Sequence, residues 1–302
     1  MIVGGTVVDV IFPRVPRLPQ WPKHTEFTTG NLVRMKRAPI VTLGGNGGNS
    51  AYVAARSGAR VTLHTQIGDD ALGGLARRWL EDAGCRIYSS TGARTAINVT
   101  AANHDLQRAT FFYPGGPQAR AALTAEKAPG HLLVCGWPHP PLAWVAKKMT
   151  ELRARGTFTA LDAGPILDQP WTLRALRPVF AALDLFLTND HELRCITGEN
   201  TREAALTGLR REFSGHVVIK RGSRGAIWLP SGRNRPQHFP RRRVRVVNTV
   251  GAGDSFNGAL LATLSVGVAF PAALRAAGNT AASVVASPRG LLGMRPSRPE
   301  IK

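Results

Sequence analysis

The sequence predicts an α/β fold with a mostly parallel central sheet and helices on both of its faces. Apolar runs of strand length recur along the chain. Between several of them lie segments with apolar residues at three- and four-residue spacing, the pattern of amphipathic helices. The 302 residues, 43% hydrophobic and 19% charged, suit one large α/β domain or two smaller ones, and they exclude a disordered chain.

The strands of the main sheet are predicted from the apolar runs. They are Ile2–Val3 with Val7–Ile11, Val61–Thr65, Leu132–Cys135, Phe158–Leu161, Leu185–Leu187, Val217–Ile219 and Ala226–Leu229. Helices are predicted over 49–56, 71–83 and 141–155, with Gly84 and Gly156 placed as C-terminal caps.

Two stretches break this alternation. The stretch from about residue 12 to about residue 37 is rich in proline, threonine and basic residues. The stretch 94–115 alternates between apolar and polar side chains. Both are predicted to form exposed antiparallel strands. Together they are expected to form a small β lid, inserted within a single domain of residues 1–302. The edges of the lid strands also offer a surface for a homodimer.

The formal net charge of +20 fits either a nucleic-acid partner or an enzyme that handles anions. The basic residues are dispersed, and the densest run, 241–245, leads into the apolar pair Val246–Val247 without aromatic residues to stack on bases. The distribution favours the enzyme over nucleic-acid binding.

The cysteines and the apolar segments bear on the compartment. Cys85, Cys135 and Cys195 are far apart and form no C-x-x-C pair, which argues against disulfides or a zinc site and fits a reducing cytoplasm. The longest apolar stretch, 258–274, is interrupted by polar residues and proline, and is shorter than the roughly 20 residues that a membrane span needs. With no signal-peptide pattern at the start of the sequence, a cytoplasmic protein without a membrane partner is expected.

The strongest functional signal is the segment 248–259, NTVGAGDSFNGA. A predicted strand, 244–247, leads into a glycine-rich turn and then into a long apolar helix. Exposed backbone N–H groups and the helix N-terminus suit the terminal phosphates of a nucleotide. Asp254 is an unexpected acid at this place. It either caps the helix or takes the proton of a hydroxyl that attacks the γ-phosphate.

A second signal is the segment 44–51, GGNGGNSA. It is either a tight strand-to-helix loop or a binding site in which amide side chains and backbone N–H groups hold the hydroxyls of a neutral polyol. The segment does not match the P-loop pattern of nucleotide-binding proteins, which occurs nowhere in the chain.

Taken together, the two segments resemble the paired signatures of the ribokinase-like (PfkB-type) carbohydrate kinases. The likeness covers 44–73 and 248–258, and extends to 5–9 (GTVVD), 188–192 (TNDHE) and 220–225 (KRGSRG). It implies a three-layer α/β sandwich with a small β lid. It also implies an ATP- and Mg²⁺-dependent enzyme that phosphorylates a hydroxyl of a sugar or sugar-like molecule.

The resemblance implies a role for individual residues. Asp254 would be the catalytic base, and the backbone of Gly251, Ala252 and Gly253 would form the anion hole. Substrate hydroxyls would bind Asp9, Gly45, Asn46 and Asn49. The nucleotide would bind Asn189, Glu192, Lys220, Gly222, Ser223, Gly225 and Asn279, with Glu192 organising Mg²⁺ through water.

Two of these groups have a purely structural alternative. Asn189 and Glu192 have the spacing of a helix N-cap and its N3 residue. Gly222–Gly225 has the composition of a hairpin turn between Val217–Lys220 and Ala226–Leu229.

The sequence departs from the family pattern at three places. Asn248 stands where the family has an aspartate that helps bind a monovalent cation, and an amide weakens such a site, so K⁺ activation stays open. The segment 111–117 lacks the family's Gly-Ala-Asn, so its sugar contacts are not carried over. Only Asp162 remains of the Asp-x-Asn-x-Arg that relatives often show.

Two other functions remain open on the sequence. A nucleoside kinase of the same superfamily would use an aromatic slot for the base, which Trp21, Phe27, Phe111, Phe112 and Trp137 can supply. A sugar or nucleotide sensor without catalysis is disfavoured, because it gains nothing from an acid beside phosphate.

Overall fold

The computed structural model describes residues 1–13, 15, 35–90, 94–103, 108–115, 128–136, 141–164 and 171–294. The strands, in chain order, are β1 Ile2–Val3, β2 Val7–Phe12, β3 Ile40–Gly44, β4 Val61–Gln66, β5 Cys85–Ser90, β6 Ala96–Ala102, β7 Arg108–Tyr113, β8 His131–Cys135, β9 Phe158–Asp162, β10 Leu185–Asn189, β11 His216–Lys220, β12 Ala226–Leu229 and β13 Gln237–Phe239. The helices are α1 Asn46–Arg56, α2 Ala71–Asp82, α3 Leu142–Arg153, α4 Leu173–Phe180, α5 Asp190–Thr197, α6 Arg202–Glu212, α7 Ala252–Ser265 and α8 Phe270–Ala286.

The larger sheet has the strand order β13-β12-β11-β10-β9-β8-β1-β4-β5. Its strands from β11 to β5 pair in parallel, whereas β12 and β13 are antiparallel additions at one edge. Parallel neighbours require crossover connections, and helices supply them. The predicted α/β class with a mostly parallel sheet is therefore confirmed.

The larger sheet is covered by helices on both faces, and strand β10 shows this directly. Leu185 and Leu187 belong to the core packed under α1, α2, α7 and α8. Phe186 points the other way, into the core packed under α3, α4, α5 and α6. Successive side chains of a strand face opposite sides of its sheet, so a continuous apolar run here means burial on both faces.

A smaller sheet has the order β3-β2-β6-β7. Strand β2 runs antiparallel to β3 and parallel to β6, and β6 and β7 are antiparallel. The strands predicted within 94–115 are β6 and β7. Most of the predicted stretch 12–37 lies outside the described residues, but β2 and β3 flank it on either side.

The structure corrects two predicted strands. Val7–Ile11 is predicted in the main sheet but lies in the smaller one, where it pairs with β3 and β6. Between β1 and β2, the carbonyl of Gly5 accepts the N–H groups of Gly47 and Gly48 at the start of α1 and not those of a strand. Residues 244–247 are predicted as a strand, but they form no regular secondary structure and pair with no strand among the described residues. The N–H of Val247 instead donates to the carbonyl of Val285 in α8.

Helix α1 begins three residues before its predicted start and packs closely on α7. A Cβ atom added at Gly258 would lie against the carbonyl oxygen of Ser50, well inside van der Waals contact. The hydroxyl of Ser50 donates to the carbonyl of Asp254 over 3.2 Å. This close approach holds the first turns of α1 and α7 side by side.

Replacing Gly258 by alanine should therefore destabilise the protein by about 1–3 kcal/mol through overpacking. The matched control is Gly74→Ala in α2, where an added Cβ meets nothing within 4 Å. That change should be neutral or stabilising, by up to about 1 kcal/mol, because alanine is the better helix former. Urea unfolding of both variants measures the contrast, and equal effects would show that the α1–α7 approach is not tight.

Candidate active site

A cavity of about 1000 Å³ lies at the carboxyl ends of the parallel strands. Asp162, Asn189 and Lys220 are the last residues of β9, β10 and β11, and all three line it. Asp9 and Asn98 of the smaller sheet line it as well. Ligands of open α/β sheets bind at this edge because the loops and helix N-termini converge there.

The N-terminus of α7 forms one wall of the cavity. Gly251 precedes the helix with φ of 75°, a left-handed conformation that favours glycine. A Cβ atom here would lie 3.0 Å from Nδ2 of Asn49. The first N–H groups of a helix have no intrahelical acceptor and carry partial positive charge, so the turn Gly251–Gly253 is suited to an anion.

Asp254 lies in the first turn of α7, and its carboxylate is held by Asn49. Nδ2 of Asn49 donates to Oδ2 of Asp254 over 2.9 Å. Burial raises the pKa of Asp254, and the charge of Asp162 adds to this, while the Asn49 hydrogen bond and Lys220 oppose it. A raised pKa makes the carboxylate a better proton acceptor near neutral pH.

Lys220 is the cation of this site. Its Nζ donates to Oδ1 of Asp162 over 2.7 Å, and the two side chains are only 14% and 3% exposed. Burial alone would lower the pKa of Lys220, but Asp162 and Glu192 outweigh it and the net shift is upward. The ammonium therefore stays charged, and it lies within 4 Å of where a Cβ of Gly253 would be.

Asn189 and Glu192 form a complete capping box at the start of α5. Oδ1 of Asn189 accepts the N–H groups of His191 and Glu192, and Oε2 of Glu192 accepts the N–H of Asn189 over 2.9 Å. The structural alternative is thus confirmed, yet both side chains also line the cavity. Burial raises the pKa of Glu192 to about 7, although Lys220 opposes this.

Asp9, on β2 of the smaller sheet, also lines the cavity. Asp9 is buried, and it pairs in register with Asn98 of β6, whose side chain hydrogen-bonds it. Burial raises the pKa of Asp9 to about 7, and the nearby charge of Asp254 adds to the rise. A Cβ at Gly44 would collide with the Asp9 carboxylate, so a glycine is needed there.

The structure brings most of the predicted residues to this one cavity. Those that line it are Asp9, Gly45, Asn46, Asn49, Asn189, Glu192, Lys220, Gly222, Ser223, Gly225, Gly251, Ala252, Gly253 and Asp254. The segment Gly222–Gly225 is also the turn of the β11–β12 hairpin, as its structural alternative predicts, and its nucleotide role stays a prediction.

Asn279 does not join this group. It is exposed on α8 and does not line the cavity, whereas Gly278, Ala281 and Ala282 do. Among the aromatic residues considered for a base slot, Phe112 lines the cavity, while Trp21, Phe27 and Trp137 lie outside the described residues.

Sequence reasoning missed part of the lining. The lining residues without a predicted role include Val7, Asn98, Thr110, Phe239, Pro240, Arg241, Arg242, Thr249, Val250 and Phe256. In the sequence, the run that contains Arg241 and Arg242 is distinguished only by its charge. A signal for Asn98 exists in the sequence, since it lies in an alternating strand beside Val99, but its pairing with Asp9 requires knowledge of the register.

Magnesium needs one or two carboxylates, with phosphates and water completing the shell. No group of three or more His, Cys, Asp or Glu side chains that could hold a metal ion occurs within the described ranges. Glu192 lines the cavity beside Asn189. These residues fit a magnesium ion held chiefly by nucleotide phosphates and water, and not a closed protein cage.

An anion-binding helix N-terminus beside a buried carboxylate is suited to the transfer of a phosphoryl group to a small molecule. Comparison with known proteins agrees. Residues 21–296 match the pfkB family carbohydrate kinases. The sequence is 26% identical to the ribokinase of Mus musculus, over 86% of this chain and 80% of that protein. It is 28% identical to the ribokinase of Bacillus subtilis, over 100% of this chain and 97% of that protein.

The fold is also that of solved ribokinase structures. The structure of Arabidopsis thaliana ribokinase, complexed with ribose and ATP, aligns with a TM-score of 0.77 and 21% identity, covering 97% of this chain and 94% of that one. The chain belongs to the pfkB family of carbohydrate kinases, and it is an ATP-dependent kinase.

In the part of the chain that the structure describes, none of the helices has the length and apolar character of a membrane span.

The raised pKa of Asp9 predicts a pH-dependent stability. Its folded-state pKa of about 7 lies above the unfolded value of 3.8. The contribution of Asp9 to stability is therefore complete below about pH 4 and is lost as the pH rises through 7. Relative to the wild type, Asp9→Asn should gain on the order of 2 kcal/mol in unfolding free energy between about pH 5 and pH 8.

Denaturant unfolding without ligand, at several pH values, measures this difference. Asp69→Asn, at an exposed position, is the matched control and should show no such trend. A constant difference between Asp9→Asn and wild type across the pH range would contradict the prediction.

Proposed function

We propose that this kinase transfers the γ-phosphoryl group of ATP to a hydroxyl of a sugar or sugar-like molecule, with Asp254 as the catalytic base. The observation that carries the proposal is the place of Asp254, in the first turn of α7, with its carboxylate oriented by Asn49 over 2.9 Å. A carboxylate at such a place repels bound phosphate. A role in accepting the proton of the attacking hydroxyl explains why an acid stands there.

The nucleotide would occupy the end of the cavity formed by Asn189, Gly222–Gly225 and the N-terminus of α7. The N–H groups of the turn Gly251–Gly253 would stabilise charge on the moving phosphoryl group. Lys220 supports this, since it is a buried cation beside the same turn. Magnesium, when bound, would neutralise phosphate charge, and Glu192 would orient its water shell.

The substrate would occupy the end formed by Asp9, Asn46 and Asn49. Nδ2 of Asn46 and Oδ1 of Asn49 are buried and have no hydrogen-bond partner among the described residues. A buried polar atom without a partner costs about 1–3 kcal/mol. Hydroxyl groups both donate and accept, so a polyol would satisfy the donor and the acceptor together.

The smaller sheet would act as the lid. It contributes Asp9, Asn98 and Thr110 to the cavity wall, so a movement of this sheet would open or close the substrate end. Closure over the bound sugar would exclude water and suppress hydrolysis of ATP.

The edge strands β3 and β7 of the smaller sheet would also allow two chains to pair as a homodimer. Three free thiols fit a cytoplasmic enzyme.

A nucleoside is the second candidate substrate. Phe112 of β7 lines the cavity at the substrate end, with its side chain 39% exposed. An aromatic face there would stack on a nucleobase. A panel of pentoses, hexoses and nucleosides, assayed by ADP release, separates the two classes. ADP release with none of them would contradict both.

Replacing Asp254 by asparagine should lower kcat by about 10²–10⁴-fold, because the amide cannot accept the hydroxyl proton. ATP affinity should change little or rise slightly, since a negative charge beside phosphate is removed. The measurements are steady-state kinetics with the accepted substrate and ATP binding by calorimetry. Near-normal turnover by Asp254→Asn would rule out Asp254 as the base.

Asn248 leads to a prediction on monovalent cations. Its Oδ1 accepts the N–H of Val250 over 3.0 Å, so a neutral oxygen already engaged in a turn replaces the carboxylate expected for a cation site. Exchanging K⁺ for Na⁺ at constant ionic strength should change kcat by less than about two-fold. Asn248→Asp should increase the response to K⁺. Strong K⁺ activation of the wild type would contradict the prediction.

A further inference from the structure

Asp190, the first residue of α5, contacts three arginine side chains. Nε of Arg202 lies 2.5 Å from its Oδ1, and Nη2 lies 3.2 Å from its Oδ2. Nη2 of Arg224 and Nε of Arg221 donate to the same Oδ2 over 3.1 and 3.4 Å. One carboxylate is therefore shared by three guanidinium groups.

The three arginines come from two different places in the chain. Arg202 begins α6, so its contact joins α5 to α6. Arg221 and Arg224 flank Gly222 and Ser223, which line the cavity in the β11–β12 turn. Asp190 directly follows Asn189, which lines the cavity as well. The carboxylate thus ties two segments of the cavity wall to each other.

The ties to the turn are charge-assisted and partly shielded from water. The Asp190 side chain is 20% exposed and that of Arg221 14%. Burial alone would raise the pKa of Asp190, but the hydrogen bond and charge of Arg202 and the charge of Arg221 outweigh it, so its pKa lies below the usual range. The carboxylate is ionised at neutral pH.

The turn 221–225 is rich in glycine, so contacts from outside the turn are needed to keep it ordered. Gly222 and Gly225 both have positive φ, of 53° and 81°, and glycine loses more conformational entropy on ordering than any other residue. The backbone bonds within the turn are local, from Arg221, Arg224 and Gly225. The side chains of Arg221 and Arg224 are the groups that reach from this turn to α5.

We infer that Asp190 is a positioning residue of the kinase, which holds the turn 221–225 against the start of α5 and thereby keeps it ordered for the nucleotide. The inference rests on the proposed nucleotide role of this turn. Asp190 itself does not line the cavity, so its effect on the reaction passes through Arg221 and Arg224.

The test is steady-state kinetics of three variants in the full chain. Asp190→Asn should raise KM for ATP about ten-fold, the loss expected for charge-assisted hydrogen bonds. Its kcat and the KM for the phosphate acceptor should stay within about two-fold, because the base and the substrate end are untouched. Arg224→Gln, at a side chain that is 63% exposed, should raise KM for ATP without disturbing the core.

Arg202→Gln is the matched control, since the ion pairs of Arg202 are with Asp190 and Glu203 and none of them reaches the turn 221–225. It should lower the thermal stability but leave KM for ATP unchanged. The double variant Asp190→Asn/Arg224→Gln should cost less than the sum of the single changes, because the two residues share one contact. If Arg202→Gln raised KM for ATP as much as Asp190→Asn, or if Asp190→Asn left it unchanged, Asp190 would be only a structural tie and the inference would be overturned.

Hydrogen exchange separates failure of this inference from failure of the proposed nucleotide site. ATP should slow amide exchange over 220–226 in the wild type, and no protection there would contradict the nucleotide role of the turn. Without ATP, exchange in this turn should be faster in Asp190→Asn than in the wild type. Protection by ATP in the wild type, together with unchanged exchange in the variant, would overturn the role of Asp190 alone.

Discussion

The hydrogen bond from Asn49 to Asp254 joins two segments that are 205 residues apart in the chain. The segment 44–51 supplies the start of α1, and the segment 248–259 supplies the start of α7. The two segments form the cavity wall together, because the amide of Asn49 orients the carboxylate of Asp254. The bond exists only if the two helices approach closely, and Gly258 permits that approach beside Ser50. Packing of small residues therefore determines the chemistry at the helix N-termini.

The charges divide the cavity into two ends. Between Phe213 and Met294, Asp254 is the only acidic residue, while lysine and arginine recur. This part of the chain forms the wall around the turn Gly222–Gly225 and the start of α7, where its positive field attracts polyanions. It also carries much of the +20 charge. At the other end, Asp9 is buried and close enough to Asp254 for each charge to oppose the other.

The layers of the fold could be predicted from local pattern because runs such as 185–187 and 217–219 are buried on both faces of the sheet. The assignment of β1 and β2 to different sheets could not, since the apolar runs on either side of Gly4–Thr6 are alike and do not show which sheet each run joins. In the site, Asp254 and Asn49 lie in recognisable motifs. The Lys220–Asp162 pair depends on the strand order β9-β10-β11, and the Asn98–Asp9 pair on the register of β2 with β6. Both are tertiary facts that no local pattern encodes.

On the proposed function, the same electrostatics restricts the class of molecule that can receive the phosphoryl group. Asp9 and Asp254 are buried acids whose pKa values are raised, because the effect of burial outweighs the groups that favour the charged form, Asn98 at Asp9 and Asn49 with Lys220 at Asp254. An anionic group on the acceptor would lie against both carboxylates and add to the repulsion. A neutral hydroxyl relieves it, because it donates a hydrogen bond to a carboxylate and still accepts one from an amide such as Asn46. On the proposed function, the acids would therefore favour a neutral polyol beside Asp254, while the arginine-rich wall would receive the phosphates of the nucleotide.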